Sequence, residues 1–128
     1  MKPESRPMSP YMIGPYYKPQ LTSMLSILSR LTGVVLTAVT TPLALIWVLA
    51  LASGPSAYGA IHGFLHSLVG KVLVLTSLFS LCYHLVNGIR HLIWDTGAMF
   101  DIQSVYRSGY AAVVISIVLF ALVVWFAS

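Results

Sequence analysis

The sequence predicts an all-α membrane protein with three transmembrane helices. Three observations carry that expectation. Of the 128 residues, 58% are hydrophobic and only 8% are charged, whereas soluble domains run near a quarter charged. No Asp, Glu, Lys or Arg occurs between Leu31 and Gly70. Two further charge-free runs follow, at 72–89 and 108–128, each long enough to cross a hydrocarbon core of about 30 Å.

The N-terminal segment, 1–23, is polar and proline-rich, and six of the seven prolines fall within the first 42 residues. Proline fixes φ and removes a backbone donor, so this segment should be irregular or extended. No short apolar core with a cleavage site follows its charges, so it does not read as a signal peptide. Tyr11, Tyr16 and Tyr17 are placed for the headgroup level.

The first span is expected over 24–52, its lipid-buried part starting near Leu31. Pro42 should kink it and free the carbonyl of Ala38, with Thr40 and Thr41 near enough to satisfy freed groups. Residues 53–61, SGPSAYGAI, read as a short loop broken by Gly54, Pro55 and Gly59. The second span is expected over 63–93, with Lys71 and Arg90 snorkelling to opposite interfaces. A polar connection, 95–107, leads to the third span at 108–128.

Three spans put the two termini on opposite sides. Lys2, Arg6, Lys18, Arg30, Arg90 and Arg107 then share one side, and Lys71 stands on the other. That asymmetry predicts an N-terminus in the cytoplasm or its mitochondrial equivalent. It also explains the formal net charge of +4 as a membrane-topology signal, with no nucleic acid implied. The single cysteine, Cys82, excludes an internal disulfide and reads as a small buried apolar residue.

Ionisable groups at membrane depth need partners, so a second membrane protein is expected. In YHLVNGIRHLIWD, residues 83–95, the spacing keeps His84, Gly88, His91 and Asp95 near one helix face. His84 lies about 20 Å along the helix from Lys71 and about 9 Å from Arg90. Such a histidine either bonds a neighbouring helix or serves as an axial ligand to haem iron, for which neutral imidazole is suited. Gly88 would admit a flat macrocycle or a second helix. Ser77 and Ser80 extend the same stripe or simply pack.

In SILSRLTGV, residues 26–34, Ser26, Arg30 and Gly33 share a face. Arg30 either rests on lipid headgroups or binds a carbonyl or carboxylate, with Ser26 donating a second bond to a quinone carbonyl. His62 and His66 form an i, i+4 pair near the opposite surface, able to hold a metal or a second haem but with no third ligand evident. Asp95 reads as a helix-end residue, with proton transfer as its functional alternative.

The segments HLVNGIRHLIWDTG and SILSRLTGV, with the opening RPMSPY, resemble the cytochrome b subunit of succinate dehydrogenase, one of the two membrane anchors of that complex. The resemblance covers most of the chain. It implies half of a heterodimeric helical anchor. A second small anchor, an iron–sulfur subunit and a flavoprotein would be its partners, in a bacterial or mitochondrial inner membrane. It implies a non-flavin subunit of an enzyme of the tricarboxylic acid cycle and respiratory chain. Electrons would pass from succinate through FAD and iron–sulfur clusters in the partners to ubiquinone. Residue by residue, His84 would be an axial ligand of haem b, the other ligand coming from the partner anchor. Ser26 and Arg30 would belong to the ubiquinone site, and Arg30 and His91 would lie near the haem propionates. This chain departs from the family pattern at Ser29, where a histidine often precedes the arginine, and at Tyr11, where the opening often ends in histidine. A haem-free quinone-binding anchor and a di-haem cytochrome using His62 or His66 are the alternatives, beside a small transporter or purely structural subunit.

Overall fold

The computed structural model describes residues 21–97 and 102–128. The described residues are helical throughout, apart from short breaks, and contain no strand. The elements are α1 (Leu21–Val35), a π-helical turn (Leu36–Thr40), α2 (Thr41–Ser53), α3 (Pro55–His66), α4 (Leu68–Asp95) and α5 (Ile102–Ala127). Three stretches are long and apolar enough to cross a membrane: Ser23–Ser53, Leu68–Asp95 and Gln103–Ala127.

Pro42 is accommodated by the π-turn rather than by an open break. A π-turn shifts the hydrogen-bond register by one residue, which absorbs the missing donor. The Thr41 N–H bonds the Leu36 carbonyl. The Thr41 hydroxyl donates to that same carbonyl at 2.8 Å, and the Thr40 hydroxyl reaches the Val35 carbonyl at 3.5 Å. The threonines thus serve carbonyls earlier in the chain than the Ala38 carbonyl expected from sequence.

The expected loop over 53–61 is a helix from Pro55 onward. Gly54, at φ 115°, makes the turn, and Pro55 stands at the first helical position. There its missing N–H costs nothing, because that donor would have no intrahelical acceptor. α3 stops at Ser67, whose hydroxyl donates to the Phe64 carbonyl at 2.6 Å and accepts from the Gly70 N–H at 3.2 Å. This N-cap opens α4. Gly70 is required at the crossing: a Cβ there would collide with the Phe64 carbonyl oxygen and lie 2.6 Å from the Leu65 Cα. The polar connection before the third span is likewise partly helical, since α5 already begins at Ile102.

α4 is the central element and packs against α1, α3 and α5. Its buried positions are Gly70, Ser77, Ser80, Cys82, Tyr83, Asn87 and Arg90. Small and polar residues therefore face the other helices, while Leu75, Leu81, Leu85, Ile89 and Leu92 face outward. Lipid is as apolar as leucine, so burial of leucine gains little in a membrane. Close approach and interhelical hydrogen bonds join the helices instead. Ser77 and Ser80 belong to this packed face; Ser77 accepts from the Thr40 hydroxyl at 2.8 Å. Tyr83 donates to the Leu25 carbonyl at 2.8 Å, pinning α4 to the start of α1.

Arg90 does not snorkel. It is 6% exposed and turned toward α5. Its Nε donates to the Ser108 hydroxyl at 2.9 Å, Nη2 to the Val105 carbonyl at 3.1 Å and Nη1 to the Asn87 side-chain oxygen at 3.3 Å. Its guanidinium lies 4.1 Å from the centre of the Trp94 ring, a cation–π arrangement. Arg90 thus finds its own partners within the chain. The Tyr83 and Arg90 bonds also bring the start of α1, the end of α4 and the start of α5 to one end of the bundle.

Candidate functional site

The site forms where α1 crosses α4 near that end. On α1, Thr32 is turned inward and is 3% exposed. Its hydroxyl donates to the Ser29 carbonyl at 2.9 Å, one turn back in the same helix. The same oxygen lies 3.3 Å from Nδ1 of His84 on α4. Gly33, the next residue, lets the two helices meet over the imidazole: a Cβ on Gly33 would stand 3.3 Å from His84 Cε1 and 3.8 Å from Nδ1.

The His84 side chain is nevertheless exposed on the outer surface of the helix pair. Among the described residues nothing bonds its Nε2. One nitrogen is anchored to the protein and the other is presented outward. One turn on, a Cβ at Gly88 would meet nothing within 4 Å, so the surface beside the imidazole is open. The donor set fits an axial haem ligand: an imidazole hydrogen-bonded at one nitrogen, with room beside it for a flat group.

Arg30 stands between two grooves. One, of about 390 Å³, is lined by Ser23, Ser26, Ile27 and Arg30. The other, of about 530 Å³, is lined by Arg30, Gly33, Val34, Thr37 and Ala38. Arg30 is exposed and makes no hydrogen bond or ion pair among the described residues. The structure thus brings Ser26 and Arg30 to one groove. Along the other it joins Arg30 to Gly33, the residue that lies against the His84 imidazole; His84 itself lines neither groove.

His91 is exposed and lies edge-on to Trp94, with ring centres 5.0 Å apart; it lines neither groove. It follows His84 by seven residues, so the two share a face of α4. Asp95 ends α4 and is exposed. Thr96 and Gly97 cap that end, bonding the Ile93 and Trp94 carbonyls. His62 and His66 sit on α3 with their Nε2 atoms 3.1 Å apart. Among the described residues no group of three or more potential metal ligands occurs. Tyr11, with the rest of the opening segment, lies outside the described residues.

Two residues emerge only in three dimensions. Thr32 is 52 positions from its partner His84, and no local pattern signals the contact. Arg90 carries a faint signal: Asn87 precedes it by three residues, which places two polar groups on one face of an apolar helix.

These features define a polytopic helical membrane protein that presents an imidazole at membrane depth beside a basic groove. Residues 2–123 match the family described as succinate dehydrogenase/fumarate reductase transmembrane subunit, and the chain belongs to that family. It is 42% identical over 114 residues to a Rickettsia prowazekii protein named succinate dehydrogenase cytochrome b556 subunit, covering 89% of this chain and 86% of the relative. A Paracoccus denitrificans protein of the same name is 32% identical over 117 residues, or 90% and 86% of the two chains. The mitochondrial succinate dehydrogenase cytochrome B subunit of Schizosaccharomyces pombe is 37% identical over 116 residues, which cover 88% of this chain and 63% of that one.

Proposed function

We propose that this chain is a membrane-anchor subunit of a succinate:ubiquinone oxidoreductase. In this reading His84 is one axial ligand of a haem b shared with a second anchor subunit, and Ser26 and Arg30 form part of the ubiquinone-reduction site. The observation that carries it is the His84 imidazole, engaged through Nδ1 with Nε2 uncommitted at membrane depth. The cytochrome b names of the relatives support a b-type haem. When bound, haem supplies a one-electron carrier within the membrane; the chain's own residues bind and orient. Nε2 of His84 would bind the iron. Gly33 and Gly88 keep the adjoining surfaces low, and Arg30 offers a charge-assisted bond to a propionate from the edge of its groove. His91, on the His84 face of α4, is the second residue proposed near the propionates.

Ser26 and Arg30 act on the quinone. Reduction builds negative charge on a carbonyl oxygen. A fixed cation and a hydroxyl aimed at that oxygen stabilise the charged form more than the neutral one. The Arg30 guanidinium is a fork of donors already present at the groove before reduction begins. Oxidation of succinate would belong to the flavoprotein and iron–sulfur partners. The end of the bundle that gathers Arg30, Arg90 and Arg107 would face the cytoplasm or matrix, in a bacterial or mitochondrial inner membrane.

The test is a pair of activities in the same membranes. Ser26→Ala and Arg30→Leu should slow ubiquinone reduction by on the order of 10²-fold or more. Succinate oxidation with an artificial acceptor upstream of the quinone should persist. Normal quinone reduction and normal inhibitor sensitivity in both variants would leave this groove as a headgroup contact only.

A further inference from the structure

We infer that Thr32 is a positioning residue that sets the tautomer and orientation of His84, so that the lone pair falls on Nε2. This rests on the reading of His84 as an iron ligand. A threonine hydroxyl has one proton and two lone pairs. The Thr32 proton is directed at the Ser29 carbonyl at 2.9 Å, a bond that threonine commonly makes within its own helix. The oxygen can then only accept in its 3.3 Å contact with His84 Nδ1. With Nδ1–H donating to that oxygen, Nε2 is the nitrogen that carries the lone pair. The opposite arrangement turns the hydroxyl toward Nδ1, puts the imidazole proton on Nε2 and blocks ligation.

Burial makes this choice depend on Thr32 itself. Thr32 is 3% exposed, so its hydroxyl meets His84 Nδ1 inside the contact between α1 and α4. Gly33 lies against the same edge of the ring, since a Cβ there would stand 3.3 Å from Cε1 and 3.8 Å from Nδ1. That edge of the imidazole thus meets a hydroxyl and a bare stretch of backbone on α1. Ligation through Nε2 draws density from the ring and makes Nδ1–H a stronger donor, so the 3.3 Å bond should tighten when iron is bound. Residues that accept from a ligating histidine fix its orientation and raise its basicity, and their loss typically lowers metal affinity about 10- to 100-fold. The SRLTGV segment would then serve both sites from one helical turn, with Arg30 for the quinone groove and Thr32 for the ligand.

The experiment uses the assembled complex with Thr32→Val, Thr32→Ala and Thr32→Ser, and with His84→Ala as reference. Haem content per complex, the low-spin spectrum and the midpoint potential are measured. Thr32→Val and Thr32→Ala should retain haem about tenfold or more weakly. Their remaining haem should have a raised potential, because a less basic imidazole stabilises ferric iron less. Thr32→Ser keeps the hydroxyl and should restore content, spectrum and potential. If His84→Ala removes the haem signal while Thr32→Val and Thr32→Ala match the wild type, the inference fails and the ligand assignment stands. If His84→Ala leaves the spectrum unchanged, the underlying assignment fails. Loss of the chain itself from the membrane in both hydroxyl-free variants would place the hydroxyl in helix packing and overturn the inference too.

Discussion

The two seams of α4 hold polar groups in opposite ways. Toward α5, Arg90 is buried, and each of its three nitrogens donates to an acceptor of the same chain, with the Trp94 ring against the guanidinium. Toward α1, His84 is held at one nitrogen only and directs the other outward. A buried polar group bonded at each of its nitrogens ties helices together in a membrane. An exposed and half-bonded one is shaped for something the chain does not contain. Residue type does not separate the two, because sequence alone makes the arginine look interfacial and leaves the histidine ambiguous. The difference lies in what each side chain meets.

This contrast predicts that changes on the α5 side alter stability without altering the haem spectrum. Asn87→Leu removes an acceptor from a buried cation, Asn87 itself being 1% exposed. It should cost about 1.5–3 kcal/mol, the range for bonds to charged groups. The loss should appear as earlier thermal dissociation of the detergent-solubilised complex, while the assembled fraction keeps its low-spin signal. A changed spectrum with unchanged stability would erase the distinction between the seams. Tyr83→Phe deletes only the bond to the Leu25 carbonyl and should cost about 1 kcal/mol, read in the same thermal assay. The smallest effect is expected at His66→Gln. His66 is exposed on α3, and the substitution should shift stability by no more than about 0.5 kcal/mol. It should also leave the amount of haem per complex unchanged. Loss of half the haem would favour a second haem near His62 and His66.

Much of this architecture was legible because charge is so scarce. The charge-free runs from Arg30 to Lys71, from Lys71 to Arg90 and beyond Arg107 are ones that membrane helices explain. Pro42 announced a distortion but not its form, since sequence does not reveal a shifted hydrogen-bond register. α3 was hidden by its own breakers. Gly54 and Pro55 look like loop residues, yet a glycine at positive φ followed by proline at the first helical position also starts a helix. At the site, the spacing of Ser26 and Arg30 was sufficient to expect a shared groove, because both lie on one helix. The Thr32–His84 and Arg90–Ser108 contacts were not accessible that way. Each joins two helices, and the side chain that completes it is fixed by how those helices cross.

Whether the uncommitted nitrogen of His84 binds haem iron is read from the visible and low-temperature electron-paramagnetic-resonance spectra of the purified complex with and without His84→Ala. The wild-type complex should show one low-spin b-type haem with two nitrogen ligands. The variant should insert and assemble but lose or alter that signal. Electron transfer to quinone need not vanish with it, since clusters in a partner subunit could reach the groove at Ser26 and Arg30 directly. An unchanged low-spin spectrum in an assembled His84→Ala complex would contradict the account.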